Sequence, residues 1–383
     1  MEFELSGEQR AFADSVRRFA LAELKEGALR RAHEPGYPWD VARKISDMGL
    51  LGIMIPEEDG GQGGTLMDAV IAAQELALVC PKSADVIQAG NFGAIRTLAA
   101  FANAEQKARF LPDLLASRRL IALGMTEPNA GSAVTELRTS ARQEGDEYVI
   151  NGTKIFSTNS PDAHVFLIYV RYGPGVGNIG SVLIERGTPG FSVGQPSNFM
   201  NGEQWSQLYF EDCRIPAANM LLGPGGFKKQ MSGFNIERIG NSSRALALGR
   251  YAYNEAREHA LIREQFGRKL CEFQGLQWKF AEMAVKLEAA QLLLYRAAVH
   301  GDKNQGMPSP YDTAIAKLHA NMTGFEVASE AMQVMGGMGY SQESLVEYCV
   351  RRTRGWMIAG GSIEILKNRI AEEVFGRRFD QRK

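Results

Sequence analysis

The stretch Phe234-Asn235-Ile236-Glu237-Arg238 sets a carboxylate beside a guanidinium where a helix is expected to open. Gly223-Pro224-Gly225-Gly226 precedes it, and Leu246, Tyr253, Ala256 and Ala260 follow at helical spacing on one face. A first helical turn carries unpaired N–H groups and partial positive charge, which favour an acid. If that acid is also walled off from water its pKa rises, as a general base near neutral pH requires. Taken alone, the stretch equally fits an ordinary first-turn acid paired with its neighbouring arginine.

Other segments offer partners for such chemistry. Met125-Thr126-Glu127-Pro128-Asn129-Ala130-Gly131-Ser132 presents hydroxyls and glycine-exposed amides to an anion or a ring edge. Phe156-Ser157-Thr158-Asn159 puts an aromatic, able to cover a flat cofactor, next to hydroxyls able to reach a ring nitrogen. In Arg263-Glu264-Gln265-Phe266-Gly267 the arginine suits a phosphate, or simply ends a helix before a glycine stop. Gln333-Val334-Met335-Gly336-Gly337 and Gly360-Gly361-Ser362-Ile363-Glu364-Ile365 let backbone come close to a ligand. The second of these leads into a final helix whose N-terminus can accept phosphate.

The five histidines are dispersed, and the cysteines Cys80, Cys213, Cys271 and Cys349 lack metal-ligand spacing. A GxGxxG string, Gly175 to Gly180, leads into a strand candidate at Ser181. The dinucleotide fingerprint needs a helix there, so the string reads as a loop.

The elements that must position these segments change character twice. Ser6-Gly7-Glu8-Gln9 has the form of a capping box, followed by an apolar face at Phe12, Val16 and Phe19. Trp39, Ala42, Ile45 and Met48 repeat the pattern and stop at Gly49, and helical patterns resume through Leu78 and from Phe92 to Leu115. From Ile121 strands take over. Asn151-Gly152 within Tyr148 to Ile155 predicts a hairpin turn, and Val165 to Val170, Ser181 to Ile184, Gly190 to Val193 and Gln207 to Phe210 predict strands. Two amphipathic helices follow, one through Phe280, Met283, Ala284, Leu287, Leu294 and Ala298, the other through Leu318, Met322, Phe325, Ala328, Met332 and Met335. The order is α, β, α, with expected domains over 1–120, 121–222 and 223–383.

The 383 residues carry 43 Lys and Arg against 44 Asp and Glu, a net charge of -1. That balance gives no support for nucleic acid or an acidic membrane surface as partner. No apolar run approaches the roughly 20 residues that span a bilayer. Met1-Glu2-Phe3-Glu4-Leu5 is acidic without an apolar signal core, and cysteine usage is sparse. The expectation is a soluble, cytoplasmic protein.

Together these segments resemble the acyl-CoA dehydrogenase family of flavoproteins over essentially the whole chain, in the family's order and spacing. The resemblance implies an α+β chain: an N-terminal helical domain, a middle β domain and a C-terminal four-helix bundle, assembled as a homotetramer with FAD across a subunit interface. It places Met125, Thr126 and Ser132 in the loop against the flavin and pyrophosphate. Phe156 stands where an aromatic, usually Trp, covers one flavin face, and Thr158 where a threonine bonds the ring near N5. Arg263, Phe266 and Gln274 match residues that hold the FAD diphosphate and adenosine of the neighbouring subunit. Gln333, Gly336 and Gly337 match a further FAD-gripping segment, and Ser362 and Glu364 the positions after the C-terminal glycine. Asn235 and Arg238 fall where the family binds the CoA pantetheine.

Many members read Glu-Gly-Thr where this chain reads Gly360-Gly361-Ser362, and that Glu is their catalytic base. A minority, including isovaleryl- and long-chain-type enzymes, carry the base on the helix after the β domain, where this chain has Glu237. The resemblance therefore implies α,β-dehydrogenation of an acyl-CoA. Glu237 takes the α-proton, FAD N5 takes the β-hydride, and the Gly360 N–H helps hold the thioester carbonyl. Electrons then pass to an electron-transfer flavoprotein. Losing a side chain at Gly360 is expected to leave room near the α-carbon for branched or bulky acyl groups. Ala133, where the family usually has Asp, is a departure without a functional account.

The chain's length, start and Gly-Gly-Ser element are also similar to crotonobetainyl-CoA reductases, which run the chemistry toward the saturated thioester. A nitroalkane oxidase, a flavin-dependent hydroxylase and a non-catalytic subunit of a hetero-oligomer are rivals. Arg263, Gln333 and the retained Glu237 weigh against them. No basic C-terminal addition of the kind carried by a DNA-protective branch is expected after the last helix.

Overall fold

The computed structural model describes residues 4–379. Met1 to Phe3 of the acidic N-terminal stretch, and Asp380 to Lys383 at the other end, lie outside the described residues.

The helices are α1 Gly7–Glu23, α2 Ala28–His33, α3 Trp39–Asp47, α4 Leu66–Ala77, α5 Ala84–Ile87, α6 Ala94–Phe101 and α7 Ala104–Leu115. After the strands come α8 Phe227–Ile262, α9 Gln274–Lys303, α10 Pro310–Met335, α11 Gly337–Tyr340, α12 Leu345–Trp356 and α13 Ile363–Val374. The strands are β1 Ile121–Gly124, β2 Ser140–Glu144, β3 Glu147–Thr158, β4 Val165–Arg171, β5 Ile179–Glu185, β6 Phe191–Val193, β7 Ser197–Asn198, β8 Gln204–Pro216 and β9 Met220–Leu222. The expected α, β, α order holds. So does the strand after the glycine string, since Val176–Asn178 is a single 3-10 turn into β5.

By compactness the chain divides into two units. One comprises Met1–His33, Thr65–Gln88 and Asn235–Lys383, the other Glu34–Gly64 and Ala89–Phe234.

In the first unit α10 packs against α9, α12 and α13, and α4 lies between α1 and α9. Ser6 caps α1 with the expected capping box. Asp302 caps α4, accepting from the Leu66 and Met67 amides at 2.7 and 3.1 Å. The α9 stripe is buried at Met283, Leu287, Leu294 and Ala298 as the periodicity predicts. On α10 the expected stripe is only partly the core. Leu318, Met322, Phe325 and Met332 are half-buried, while Ala316, Lys317, Ala320, Asn321, Gly324, Val327 and Ala331 are buried. The cause is a tight crossing with α8. A Cβ on Gly324 would stand 2.3 Å from the Ala245 carbonyl oxygen, and one on Gly249 would stand 2.9 Å from Gly324 Cα. Helices this close admit only small side chains between them.

In the second unit the strands form one sheet in the order β6-β8-β3-β2-β4-β5-β9, with β1 paired parallel to β4 and β7 to β8. β4 is buried on both faces, and its residues alternate between two cores. Val165, Leu167 and Tyr169 face a cluster with Leu98, Phe110 and Leu114. Phe166, Ile168 and Val170 face one with Ile150, Leu208 and Phe210.

The predicted Asn151-Gly152 hairpin turn is not formed. β3 runs straight through both residues, and the turn lies earlier, between Glu144 and Glu147, where Gly145 has φ 63°. Asn151-Gly152 is instead a bulge in the β3–β8 pairing. The Asn151 amide exchanges hydrogen bonds with Asp212 across it, at 2.9 and 3.0 Å. Gly152, with φ 146°, lies so close to Thr139 that a Cβ would meet its hydroxyl at 2.6 Å. The dipeptide's permissive backbone serves an irregular strand as well as a turn.

Candidate active site

Glu237 is not in a first helical turn. α8 begins at Phe227, directly after the Gly225-Gly226 corner, so Glu237 lies well inside the helix. The charge around it therefore comes from side chains, not from a helix terminus, whose effect fades within one turn. Glu237 is half-buried. Burial raises its pKa above the ordinary carboxylate range, while Arg238, Arg244 and Lys317 pull the other way.

The first unit brings the Gly360 loop onto this carboxyl. A Cβ on Gly360 would lie 3.9 Å from Glu237 Oε1, 3.5 Å from Lys317 Cε and 3.0 Å from Asn241 Nδ2. A side chain at this position would therefore begin in contact with Glu237, Lys317 and Asn241. Arg238 donates from Nε to the Gly360 carbonyl at 2.9 Å and from a terminal nitrogen to Asn235 Oδ1 at 3.3 Å. The Lys317 ammonium donates to the carbonyls of Trp356, Ala359 and Gly361 at 3.0, 3.0 and 3.1 Å. Burial, followed by the neighbouring Arg238, brings that ammonium down to about 7, with Glu237 opposing.

A second layer sits behind. Buried Asp85 accepts from Arg244 at 2.5 Å and from Arg352 at 2.7 Å, and Arg244 also donates to Asn241 Oδ1 at 2.5 Å. Both guanidinium groups lie on the Trp356 ring, 4.5 and 4.6 Å from its centroid. Burial opposes ionisation of Asp85, yet Arg352, Arg244 and Lys82 hold its pKa below the usual range.

Elsewhere in this unit, Arg263 follows α8, and Phe266 and Gly267, with φ 53° and 78°, form the tip of a small exposed hairpin over 264–269. Phe266 is 94% exposed. Gln274 is exposed at the start of α9, and Gln333, Gly336 and Gly337 are exposed at the end of α10. Gly336 and Gly337 meet no neighbour within 4 Å of a Cβ, so packing within the described residues does not require their lack of a side chain. Ser362 caps α13, accepting from the Ile365 amide at 3.5 Å, and Glu364 points to solvent in its first turn.

In the second unit the loop at Met125 and Thr126 runs beside the end of β3. The Ile155 amide donates to the Thr126 carbonyl at 2.8 Å, and Ser157 Oγ to the Leu123 carbonyl at 2.9 Å. Lys154, fully buried, bridges Glu127 Oε1 at 2.7 Å and the Met125 carbonyl at 3.3 Å. Phe156 has φ 55°, which an L side chain rarely adopts, and is half exposed beside Trp205, ring centroids 4.6 Å apart. Strain of this kind persists where surrounding structure imposes it and gathers at functional sites. Thr158 pairs with Trp205 across the strands, and Ser132 is exposed beyond the Glu127–Ala130 turn.

Sequence reading missed Lys317, Asn241 and the Asp85–Arg244–Arg352 group. One signal was available: Lys317 interrupts Ala314-Ile315-Ala316-Lys317-Leu318, a charge in an apolar helical run. Among the described residues no group of His, Cys, Asp and Glu could hold a metal, and no helix is long and apolar enough to cross a membrane.

Three family models match in order: acyl-CoA dehydrogenase N-terminal domain over 6–118, middle domain over 122–213 and C-terminal domain over 224–375. The short-chain specific acyl-CoA dehydrogenase of Clostridium acetobutylicum is 36% identical over 380 residues, 98% of this chain and 100% of the relative. The solved butyryl-CoA dehydrogenase of Megasphaera elsdenii superposes with a TM-score of 0.91 at 32% identity, covering 98% of this chain and 100% of that one. A glutaryl-CoA dehydrogenase of Mycobacterium smegmatis, solved in complex with FADH2, gives a TM-score of 0.90 at 25% identity, covering 98% and 97%. The three matches follow one another along nearly the whole sequence, and the chain belongs to the acyl-CoA dehydrogenase family of flavin-dependent oxidoreductases.

Proposed function

We propose that this chain dehydrogenates an acyl-CoA thioester between Cα and Cβ, with Glu237 as the base. One observation carries the reading: the carboxyl of half-buried Glu237 adjoins the backbone of Gly360, whose N–H has no acceptor among the described residues. A thioester carbonyl held by that N–H brings its α-carbon toward the carboxylate. As the proton leaves, negative charge grows on the carbonyl oxygen, and preorganised donors there lower the barrier. Arg238, Arg244, Arg352 and Lys317 outnumber Glu237 and Asp85, so the surroundings favour the developing charge. Substrate entry displaces water and raises the pKa of Glu237 further. Asn235 and Arg238 take the pantetheine arm.

FAD, when bound, supplies the hydride acceptor. The residues present suit it. Phe156 holds a strained backbone and is half exposed, the Thr126 loop runs beside the same strand end, and Met125, Ser132 and Thr158 provide further backbone and hydroxyl groups. Arg263, Phe266, Gln274, Gln333, Gly336 and Gly337 are exposed in the single chain, which suits a cofactor held from a neighbouring subunit of a homotetramer. Ser362 and Glu364 complete the set at the start of α13. An electron-transfer flavoprotein is the acceptor in this reading.

The test is anaerobic titration of the purified flavoprotein with a panel of acyl-CoAs, following the flavin absorbance. Bleaching by at least one saturated acyl-CoA is expected, and Glu237→Gln should keep the flavin and lose the bleaching. A wild-type protein that no acyl-CoA bleaches, or a Glu237→Gln variant as fast as wild type, overturns the reading.

A further inference from the structure

We propose that Lys317 is a positioning residue for the reaction: it turns the peptide between Ala359 and Gly360 so that the Gly360 N–H faces the substrate carbonyl. The proposal rests on the reading of Gly360 as the donor to the thioester.

A peptide group is planar and trans, so its C=O and N–H point in opposite directions. The Ala359 carbonyl and the Gly360 N–H belong to one such group. Lys317 holds that carbonyl at 3.0 Å, so the N–H must point away from the lysine. The next peptide is treated alike: the Gly360 carbonyl accepts from Arg238 at 2.9 Å, which directs the Gly361 N–H away from the arginine. The Gly361 carbonyl returns to Lys317 at 3.1 Å. Three successive carbonyls are thus each held by a cation. Neither the Gly360 nor the Gly361 N–H has an acceptor among the described residues. Holding consecutive peptides this way needs φ of 70° at Gly360 and 93° at Gly361, which glycine adopts without strain.

The arrangement exceeds what packing alone requires. Asn321, one turn further along α10, also donates to the Trp356 carbonyl, at 2.7 Å, so α12 is anchored without the lysine. Among the described residues, the contacts that belong to Lys317 alone are those to Ala359 and Gly361. A buried ammonium is costly to desolvate, and here its donors are spent on the two carbonyls flanking Gly360. Positive charge behind a carbonyl also polarises the attached N–H, making it a better donor to a growing oxyanion.

The experiment uses the full-length holoenzyme with Lys317→Met and Lys317→Gln. Steady-state kinetics with the best acyl-CoA of the panel are read beside amide hydrogen exchange over residues 357–362. The expected result is a fall in kcat of about 10²-fold or more with KM changed less than about threefold, the signature of a lost interaction specific to the transition state. Exchange should speed up in 357–362 while the α10 amides keep their protection. A kcat within about threefold of wild type, or unchanged exchange in 357–362, overturns the proposal. So does failure of both variants to fold, which would assign Lys317 to the folding core. If no acyl-CoA turns over in the wild type, the proposed function itself fails, whereas the exchange data still report whether Lys317 holds the loop.

Discussion

The carboxyl of Glu237 stands 3.9 Å from the point where a side chain on Gly360 would begin. The two residues lie on α8 and on the loop between α12 and α13, so a side chain at Gly360 would begin in contact with the carboxyl. Gly360→Ala is therefore a sharp probe. Its φ of 70° costs a non-glycine residue about 1–2 kcal/mol, and the new methyl would also press on Asn241 at 3.0 Å. Urea unfolding should show a loss of that order, with a larger proportional loss in flavin reduction rate.

The raised pKa of Glu237 has opposite consequences for activity and stability. Flavin reduction by substrate should rise with pH as the carboxyl ionises, and Glu237→Gln should abolish that limb. In stability, folded and unfolded chains both hold the proton below the ordinary carboxylate range, so no effect is present there. Above it the unfolded chain ionises first, and the folded protein loses stability until its own raised pKa is passed. The melting temperature of Glu237→Gln should therefore exceed that of wild type at neutral pH, with the gap closing in acid. An equal or lower value at pH 7.5 would count against desolvation of this carboxyl.

Asp85 tests the layer behind the site. Asp85→Ala leaves Arg244 and Arg352 buried without their carboxylate, a loss of about 3–5 kcal/mol by analogy with other broken buried pairs. Because its folded pKa is depressed, the stabilisation is present above the ordinary carboxylate value and is lost as pH falls through the folded one. Wild type should lose stability on acidification in a way that the variant does not. Denaturant midpoints measured across an acid pH series would read this directly.

The Glu127–Lys154 pair offers a double-mutant cycle. Glu127 also accepts from the Arg138 and Thr139 amides at 2.6 and 2.9 Å, so it ties the Thr126 loop to the sheet. Burial brings Lys154 down to about 8, opposed by Glu127. Lys154→Met should cost about 3–5 kcal/mol, and adding Glu127→Gln should restore part of it, because no unpaired charge then remains buried. Flavin content per subunit should fall in the single variant and partly recover in the double. Additive losses would show that the two residues act independently.

Much was legible in the linear sequence because several features are local. The Ser6 capping box, the change from helical to strand periodicity, and the segments at Met125, Phe156, Arg263, Gln333 and Gly360 each depend on residues close together in the chain. Their order alone identified the family. Local reading failed where one residue pattern serves two geometries. Asn151-Gly152 suits a tight turn and a bulge alike, and pairing with β8 chose the bulge. The Gly225-Gly226 corner moved the start of α8 back to Phe227 and took Glu237 out of its first turn.

The sequence by itself determined which residues are chemically able to act, since an acid, its flanking arginine and the glycine loop are properties of composition and order. Only the tertiary structure decided their environment. Asp85 and Arg352 meet across 267 residues, and Lys317 reaches the Ala359 carbonyl across 42. Burial, charge balance and the direction of a peptide N–H are properties of space, fixed when α8 and α10 cross closely enough to exclude all but small side chains.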